Sequence, residues 1–583
     1  MTGKKESSQP VYNTKVEGID MMVPMRDGTR LAANIYRPDA EEKFPALLAF
    51  SGHNKFLQGE EVIEACNNQP PWAPLWCGPA EGGDTRFFTS RGYVHILGQA
   101  RGFGNSDPGN PFVAGRTDAY DIIEWIAKQP WCDGNVGMVG ISWFGWNQMI
   151  AAMTQPPHLK AIFPVDPCNF SFRDLYPGGV FHTFWFHLLK FSAELPVDYR
   201  LTPEEEEQWK EAFNNPDYRM YSHIFNVLER KGKLALGFFL DLINPYEPED
   251  LEQIEKEIQK INIPMYNGSG WYAYTYKMHL FGSQRAWQSC QNTPFQKLRY
   301  RGPGHVPRPW IEFHDEVLRW YDYWLKGIDT GIKDEPRVKY WAMGANEWRT
   351  ADDWPLPETQ WTKLYLDSWE RLRWEPFMTS SRDGIDEPDA FAQMPLKLTR
   401  TVQALRYMTD PLPADLEVTG PLSLHFWAGI DQEDTNWIII IKDVGPDVSV
   451  QTAREGEMER PQVFEREVTR GWLKASHRAV DESRTRPGQP WHPFTRSAQK
   501  PVAPGEINQY DVEIAPTSNV FNRDHRICLE ITALDVPTGV AGDSAVEYIP
   551  YHICSSKTTL HKVYRSQEYP SHLLLPVIPG SPA

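Results

Sequence analysis

Short apolar runs alternate with helical patterns between residues 20 and 165. A mainly parallel sheet with crossover helices reads this way, because strands covered on both faces lose the polar alternation of a half-exposed sheet. Residues 46–50, 93–97, 136–139 and 161–163 supply its central strands. Asp27-Gly28, between the apolar runs 21–23 and 31–33, predicts a hairpin ahead of them. Ala119, Ile122, Ile123 and Ile126 recur at i, i+3, i+4 and i+7, which predicts an amphipathic crossover helix opened by Thr117 or Asp118.

The pattern changes at about residue 168. Aromatic and charged helical stretches follow to 256, at 181–191, 203–214 and 247–260, with no clear strand. This predicts a helical insertion. Strand-like runs resume at 263–266 and 295–300, then a helix carries Phe313, Val317, Trp320, Tyr321 and Trp324 on one face, with Gly327 placed to stop it. Beyond 345 the chain is strand-like, as at 422–427 and 437–441, and predicts a β-sandwich or jelly roll. The layout is therefore a polar extension (1–18), an α/β unit (19–167 and 257–344), a helical insertion (168–256) and an all-β unit (345–583). No repeat of useful period appears, and the Pro- and Arg-rich stretch 482–504 reads as a surface excursion of the all-β unit.

Composition narrows the function classes. A chain of 583 residues holds about three to four core-sized units, which excludes a small binding module. Asp and Glu exceed Lys and Arg by 77 − 59 = 18, so the surface repels phosphate backbones and gains nothing from anionic lipid. Nucleic acid and membrane are not expected partners. Seven cysteines, an odd number without a CxxC pair, read as reduced thiols without structural zinc. The polar start MTGKKESSQP lacks a secretory apolar stretch and leads us to expect a cytoplasmic protein. The sequons at Asn169 and Asn267 are then chance matches. Assembly into a homo-oligomer is left open by the sequence.

The stretch Val136-Gly137-Met138-Val139-Gly140-Ile141-Ser142-Trp143-Phe144-Gly145 runs a buried strand into a helix through a serine flanked by glycines. Glycines at 140 and 145 remove the β-carbons that collide in so abrupt a turn, which presents the Ser142 hydroxyl at the sheet edge. The helix after it points free N–H groups at the same spot, making the Trp143 N–H an oxyanion donor. A serine needs a base, and His305 sits in a glycine-rich loop, Arg301-Gly302-Pro303-Gly304-His305, just after a late strand. Other histidines fit less well: His314 is on a helix and His158 follows two prolines. No phosphate loop, HExxH or clustered metal-ligand spacing appears, so no cofactor and no metal are expected.

These stretches resemble the cocaine esterase and X-prolyl dipeptidyl aminopeptidase family of α/β-hydrolases (CocE/NonD). The match extends to Met25-Arg26-Asp27-Gly28-Thr29-Arg30-Leu31, Gln99-Ala100-Arg101-Gly102 with Ser106, Gly270-Trp271-Tyr272 and, in the last third, Leu416 to Pro421, Asp434-Thr435 and Lys442-Asp443-Val444. The resemblance implies an α/β-hydrolase fold with an inserted helical cap and a C-terminal jelly roll. It also implies acyl transfer from an ester or amide, with Ser142 as nucleophile and His305 as base. Two positions depart from the family. The triad aspartate is expected after Trp271-Tyr272, where Ala273 stands; Asp166, at the end of an earlier strand, is the alternative acid, or else merely opens a turn before Pro167. A tyrosine of the oxyanion hole is expected where His53 stands, and a histidine can donate from a ring N–H or serve as a loop residue.

Tyr272, Tyr274, Phe184, Trp185 and Trp76 are candidate pocket residues for a hydrophobic small molecule, although core packing explains such rings nearly as well. The expected function is a serine hydrolase with an atypical triad, acting on an ester, lactone or amide. The alternative, motivated by Ala273 and His53, is a hydrolase scaffold turned to cyclisation, condensation, isomerisation or acyl transfer in a specialised-metabolite pathway, with Tyr272 or Tyr274 assisting proton transfer.

Overall fold

The computed structural model describes residues 6–59, 81–168, 173, 176–182, 202–219, 246–247, 251–272, 277–302, 310–377, 387–395, 398–399, 401–448, 462–534 and 552–580. Its first half is built on a ten-stranded sheet: β1 (Thr14–Pro24), β2 (Arg30–Pro38), β3 (Phe44–Ser51), β4 (Val94–Gln99), β5 (Cys132–Met138), β6 (Leu159–Ile162), β7 (Met265–Gly270), β8 (Gln296–Arg301), β9 (Val338–Ala342) and β10 (Glu347–Ala351). The spatial order is β1-β2-β4-β3-β5-β6-β7-β8-β9-β10. From β4 to β9 every neighbouring pair is parallel, while β1, β2 and β10 pair antiparallel at the edges.

Helices α1 (Thr85–Ser90), α2 (Pro111–Ala127), α3 (Trp143–Met153), α4 (Pro203–Asn214), α5 (Leu251–Ile258), α6 (Met278–Ser289) and α7 (His314–Lys326) connect or follow these strands. The alternation of apolar runs predicts the inner strands because β3 and β4 are buried along their whole length. The Asp27-Gly28 hairpin forms, with Val23 opposite Leu31. Ala119, Ile122, Ile123 and Ile126 of α2 are all fully buried. Their helix, however, opens at Pro111 and not at Thr117 or Asp118. A proline at the first helical position has no N–H to satisfy, so it starts the helix earlier than the apolar stripe. Thr117 lies inside the helix and donates to the Ala114 carbonyl, while Asp118 is buried against Arg101.

Gly327 takes φ 70° and ends α7, as its position after the apolar stripe predicts. The sheet runs on past residue 344, where the sequence pattern changes, to Ala351, because β10 folds back on β9 in an antiparallel hairpin. Within 168–256 the described residues hold helices and isolated bridges, with no strand. The helix expected at 181–191 lies outside the described residues beyond His182.

The second half is one eleven-stranded sheet, β11 (Gln360–Asp367) to β21 (His572–Ile578) in chain order. Strand β15 (Leu416–Ile430) pairs with β18 (Asn508–Phe521) on one side and with β20 (Thr559–Tyr564) and β21 on the other, so the sheet closes in barrel-like fashion. One apolar core is common to both halves: Trp271, Leu280, Phe281, Leu298 and Tyr300 pack in the same cluster as Leu422, Phe426, Trp437 and Ile514. Backbone bonds join the two sheets directly, from Met343 N–H to the Ser518 carbonyl (3.0 Å) and from Val520 N–H to the Met343 carbonyl (2.7 Å). Among the described residues, no helix is long and apolar enough to cross a membrane.

Candidate active site

Strand β5 delivers the serine. After Met138 the chain passes Gly140 at φ 133°, where an added β-carbon would meet Phe144 Cβ at 2.1 Å. Ser142 then adopts φ 58° and ψ −114°, and α3 begins at the next residue. This sparsely populated conformation is held from both sides. Ser142 N–H donates to the Val165 carbonyl (3.0 Å), and Trp146 N–H to the Ser142 carbonyl (2.8 Å). A β-carbon on Gly145 would lie 2.6 Å from the Val165 carbonyl oxygen, so α3 packs against the strand end as only glycine allows. The half-buried Ser142 therefore stands at the carboxyl edge of the parallel sheet. Trp143 is the first residue of α3, where a helix offers N–H groups without intrahelical acceptors.

The loop after β3 brings His53 to this bend. A β-carbon on Gly52 would meet the Trp143 ring at 2.4 Å, and the His53 ring stands edge-on to Trp143 at 5.4 Å between centroids and tilted against Phe144 at 5.7 Å. The loop is fixed by the Ser51 hydroxyl, which accepts the His53 N–H (3.0 Å), and by Gln99 Nε2, which donates to the His53 carbonyl (3.3 Å). Ser106 in turn donates to the Gln99 carbonyl (2.7 Å). The Gln-Ala-Arg-Gly stretch thus acts by holding the His53 loop.

Beside His53 stands a residue that sequence patterning does not single out. The Glu81 carboxylate lies 3.5 Å from His53 Nε2, and its side chain is 2% exposed. Gln58 Oε1 accepts the backbone N–H of Glu81 (2.6 Å) and of Gly82 (2.8 Å). Burial pushes the His95 pKa down to about 4, and its Nε2 lies 3.0 Å from the Gly82 carbonyl. The Glu81 carbonyl accepts the Ile141 N–H at 3.1 Å, one residue before the serine. No sequence period marks Pro79-Ala80-Glu81-Gly82-Gly83; the acid is placed by backbone bonds across 60 residues of chain.

Asp166 follows Val165, the residue that holds the Ser142 amide, and it is fully buried. Its own N–H donates to the Gly268 carbonyl (2.8 Å), and Val165 bridges Ile141 on one side and Gly268 on the other. Burial pushes the Asp166 pKa up to about 6, with the Glu81 carboxylate adding to the rise, and the Ser269 hydroxyl, Arg301 guanidinium and Gly270 amide opposing it. Arg301 ends β8 and is bonded to Glu312 through Nε (3.3 Å) and Nη2 (2.7 Å). That pair ties together the two flanks of the segment that contains His305.

The structure thus gathers Ser142, Trp143, His53 and Asp166 at neighbouring strand ends on one edge of the sheet. His305, Tyr274, Phe184, Trp185 and Trp76 lie outside the described residues, as does Ala273. Tyr272 is directed elsewhere. Its hydroxyl donates to the Glu467 carbonyl of β17 (Gln462–Lys474), so this phenol is committed to the contact between the two halves. Among the described residues, no group of three or more His, Cys, Asp or Glu side chains is arranged to hold a metal ion.

Known proteins resemble the chain over nearly its whole length. Residues 27–305 match the X-Pro dipeptidyl-peptidase (S15 family) description, and residues 330–574 match the X-Pro dipeptidyl-peptidase C-terminal non-catalytic domain. Cocaine esterase from a Rhodococcus species is 24% identical over 623 residues, covering 96% of this chain and 98% of its own. A CocE/NonD family hydrolase from Staphylococcus aureus superposes with a TM-score of 0.73 at 21% identity, over 98% of this chain and 97% of the other. An aminopeptidase from a marine sediment archaeon, Thaumarchaeota archaeon, gives 0.70 at 18% identity, over 97% and 96%.

Proposed function

The chain belongs to the X-Pro dipeptidyl-peptidase (S15) and cocaine esterase family and is a serine hydrolase; from that premise we propose that it cleaves an ester, lactone or amide of a hydrophobic small molecule by acyl transfer. Ser142 attacks the acyl carbonyl while His305 takes its proton. The Trp143 N–H and His53 hold the oxygen that becomes negative, and Asp166 orients His305 and stabilises its charged form. His305 then passes the proton to the leaving group, and water releases the acyl group from Ser142 by the same steps in reverse. The observation that carries the reading is the backbone of Ser142, held at φ 58° between a buried strand and a helix start. A hydrophobic substrate is supported by the Trp143, Phe144 and Phe103 rings around the bend.

In the same reading the helical insertion caps the site and the all-β half is a jelly roll. The excess of 18 acidic charges supports a small-molecule substrate over nucleic acid or a membrane surface. The relatives named above are an esterase, a hydrolase and an aminopeptidase, and none lends support to non-hydrolytic chemistry. The test is labelling by a fluorophosphonate probe, together with hydrolysis of p-nitrophenyl esters of increasing acyl length. Both are expected in the native enzyme and lost in Ser142→Ala, with rates rising with acyl length. Labelling or turnover that survives in Ser142→Ala overturns the assignment.

A further inference from the structure

Strand β5 leaves the sheet to form the bend at Ser142, and in leaving it breaks its ladders on both sides. Toward β3 the pairing ends at Leu48 and Met138, followed by a bond from Val139 N–H to the Leu48 carbonyl (3.0 Å). Carbonyls two residues apart on a strand point the same way, so the Phe50 carbonyl faces the side that β5 has left. Toward β6 the pairing ends at Met138 and Ile162 and resumes only at the bridge between Ile141 and Val165. The gap contains Pro164, which has no N–H to offer. Backbone groups buried at such gaps need other partners.

Helix α3 supplies them from two successive side chains. Asn147 Nδ2 donates to the Phe50 carbonyl (2.7 Å). Gln148 Oε1 accepts the Phe163 N–H (2.8 Å), and its Nε2 donates to the Gly140 carbonyl (3.2 Å). Both are buried, Gln148 completely. Successive residues on a helix project about 100° apart, which lets one amide reach β3 and the other β6, the two strands that flank β5. The chemistry of these positions is restrictive. A carboxylate has no donor for a carbonyl, whereas an amide presents an acceptor and a donor side by side.

We propose that Asn147 and Gln148 are positioning residues that set the two partners of Ser142 in place: Asn147 the His53 loop, three residues beyond Phe50, and Gln148 the Asp166 strand end, three residues beyond Phe163. The inference rests on the roles proposed above for Ser142, His53 and Asp166, and adds how their spacing is maintained. Neither amide is assigned to the reacting atoms; each acts through the segment it holds. The His53 loop is fastened to the β4 side by Ala100 N–H, which donates to the Ser51 carbonyl (2.9 Å), and by Gln99. Asn147 fastens it to the helix that carries the Trp143 N–H, so the two oxyanion donors keep a fixed separation. Gln148 does the same for the bend and the acid, because one side chain bonds the backbone two residues before Ser142 and three before Asp166. A displacement of about 1 Å at such a site costs as much as ~10²-fold in rate.

The experiment measures the rate constant for phosphonylation of Ser142 by a fluorophosphonate in the native enzyme, Asn147→Leu, Gln148→Met, His53→Ala, Asp166→Asn and the four double variants that combine an amide change with a partner change. Thermal melts check that each folds; where an apolar variant does not, Asn147→Asp and Gln148→Glu, close in shape but without the donor, take its place. Each amide variant is expected to slow labelling by about 10- to 100-fold. Asn147→Leu should then cost less than about threefold once His53 is alanine and its full factor in the Asp166→Asn background, and Gln148→Met should show the reverse. A merely structural role, loosening the whole bend, gives each amide the same cost in every background. That result, or unchanged labelling in either single amide variant, overturns the proposal and leaves the nucleophile assignment standing. Native labelling in His53→Ala or in Asp166→Asn overturns the role of that residue, and the proposal with it. Absence of labelling in the native enzyme overturns Ser142 as nucleophile and everything that rests on it.

Discussion

Ser142, the proposed nucleophile, has a backbone conformation that costs of order 1 to 3 kcal/mol, and its neighbours maintain that strain. Gly145 is the most exposed to test. An alanine there would place its β-carbon 2.6 Å from a backbone oxygen, which cannot rotate away as a side chain would. Gly145→Ala is expected to push α3 off the Val165 strand end, to lower stability by about 1 to 3 kcal/mol in urea unfolding, and to slow fluorophosphonate labelling more than tenfold. Unchanged labelling would mean that the serine does not depend on this contact. Asp166 makes a second prediction. Its folded-state pKa of about 6 lies above the ordinary 3.8, so the folded state binds the proton more tightly than the unfolded chain does. Stability therefore falls as pH rises from about 4 to about 6, by roughly 3 kcal/mol for a shift of about two units. Asp166→Asn is expected to be the more stable protein at neutral pH, with the difference closing below about pH 4. Its turnover should fall by as much as ~10⁴ if the carboxylate orients the base. An asparagine variant that is less stable at neutral pH would show that the charge is not a burden there. Of these residues, Ser142 is legible in sequence because strand, serine and helix are adjacent, and Asp166 because it ends an apolar run. Glu81 is not, since only the fold brings it to residue 53.

The elements around the site show what a sequence pattern carries and where it stops. Fully buried strands such as β3 and the stripe of α2 repeat a chemical preference many times, so they are readable. The start of α2 is a single-residue event, and Pro111 decides it against the polar cap candidates. Strand β7 runs past the strand-like stretch 263–266 through Asn267-Gly268-Ser269-Gly270, because each of these residues pairs with β8 and Val165 bridges Gly268 on the other side. In that strand Gly268 is required: a β-carbon there would lie 2.3 Å from the Arg299 carbonyl oxygen. Asn267 is 1% exposed, so its sequon is sealed in the sheet. At the end of β8, Arg301 and Glu312 clamp the flanks of the segment with His305, while Arg299 bonds Glu316 (2.6 Å) and Lys339 bonds the same acid (2.7 Å). Glu312→Gln leaves a guanidinium that is 5% exposed without its anionic partner. We expect a loss of about 1 to 3 kcal/mol and a kcat for ester hydrolysis at least about tenfold lower, with KM little changed. A KM effect with normal kcat would assign the clamp to substrate binding instead.

At the scale of the whole molecule, the boundary in sequence pattern near residue 345 marks a change of architecture but not a seam in the core. Trp271 and Tyr300 stack at 4.6 Å between centroids, and both approach Trp354, which lies beyond the first sheet. Tyr272 donates to β17, and Arg285 of α6 pairs with Glu513 of β18 at 3.3 Å. Gly344 allows the crossing itself, since a β-carbon there would lie 2.0 Å from the Val520 carbonyl oxygen. Alternation along single strands cannot reveal a core shared between two sheets, because the partners lie from tens to hundreds of positions apart. Shared burial has a thermodynamic consequence: neither half can lose its structure without uncovering large side chains of the other, at about 25 cal/mol for each Å² of apolar surface. The full chain is therefore expected to unfold in a single calorimetric transition, whose enthalpy matches its van't Hoff value. A fragment ending at Ala351 is expected to be aggregation-prone and without fluorophosphonate reactivity, although it contains Ser142, His53, Glu81, Asp166 and His305. Two separated transitions, or a labelled and well-behaved fragment, would mean that the hydrolase half stands alone and that the common core is only a contact surface.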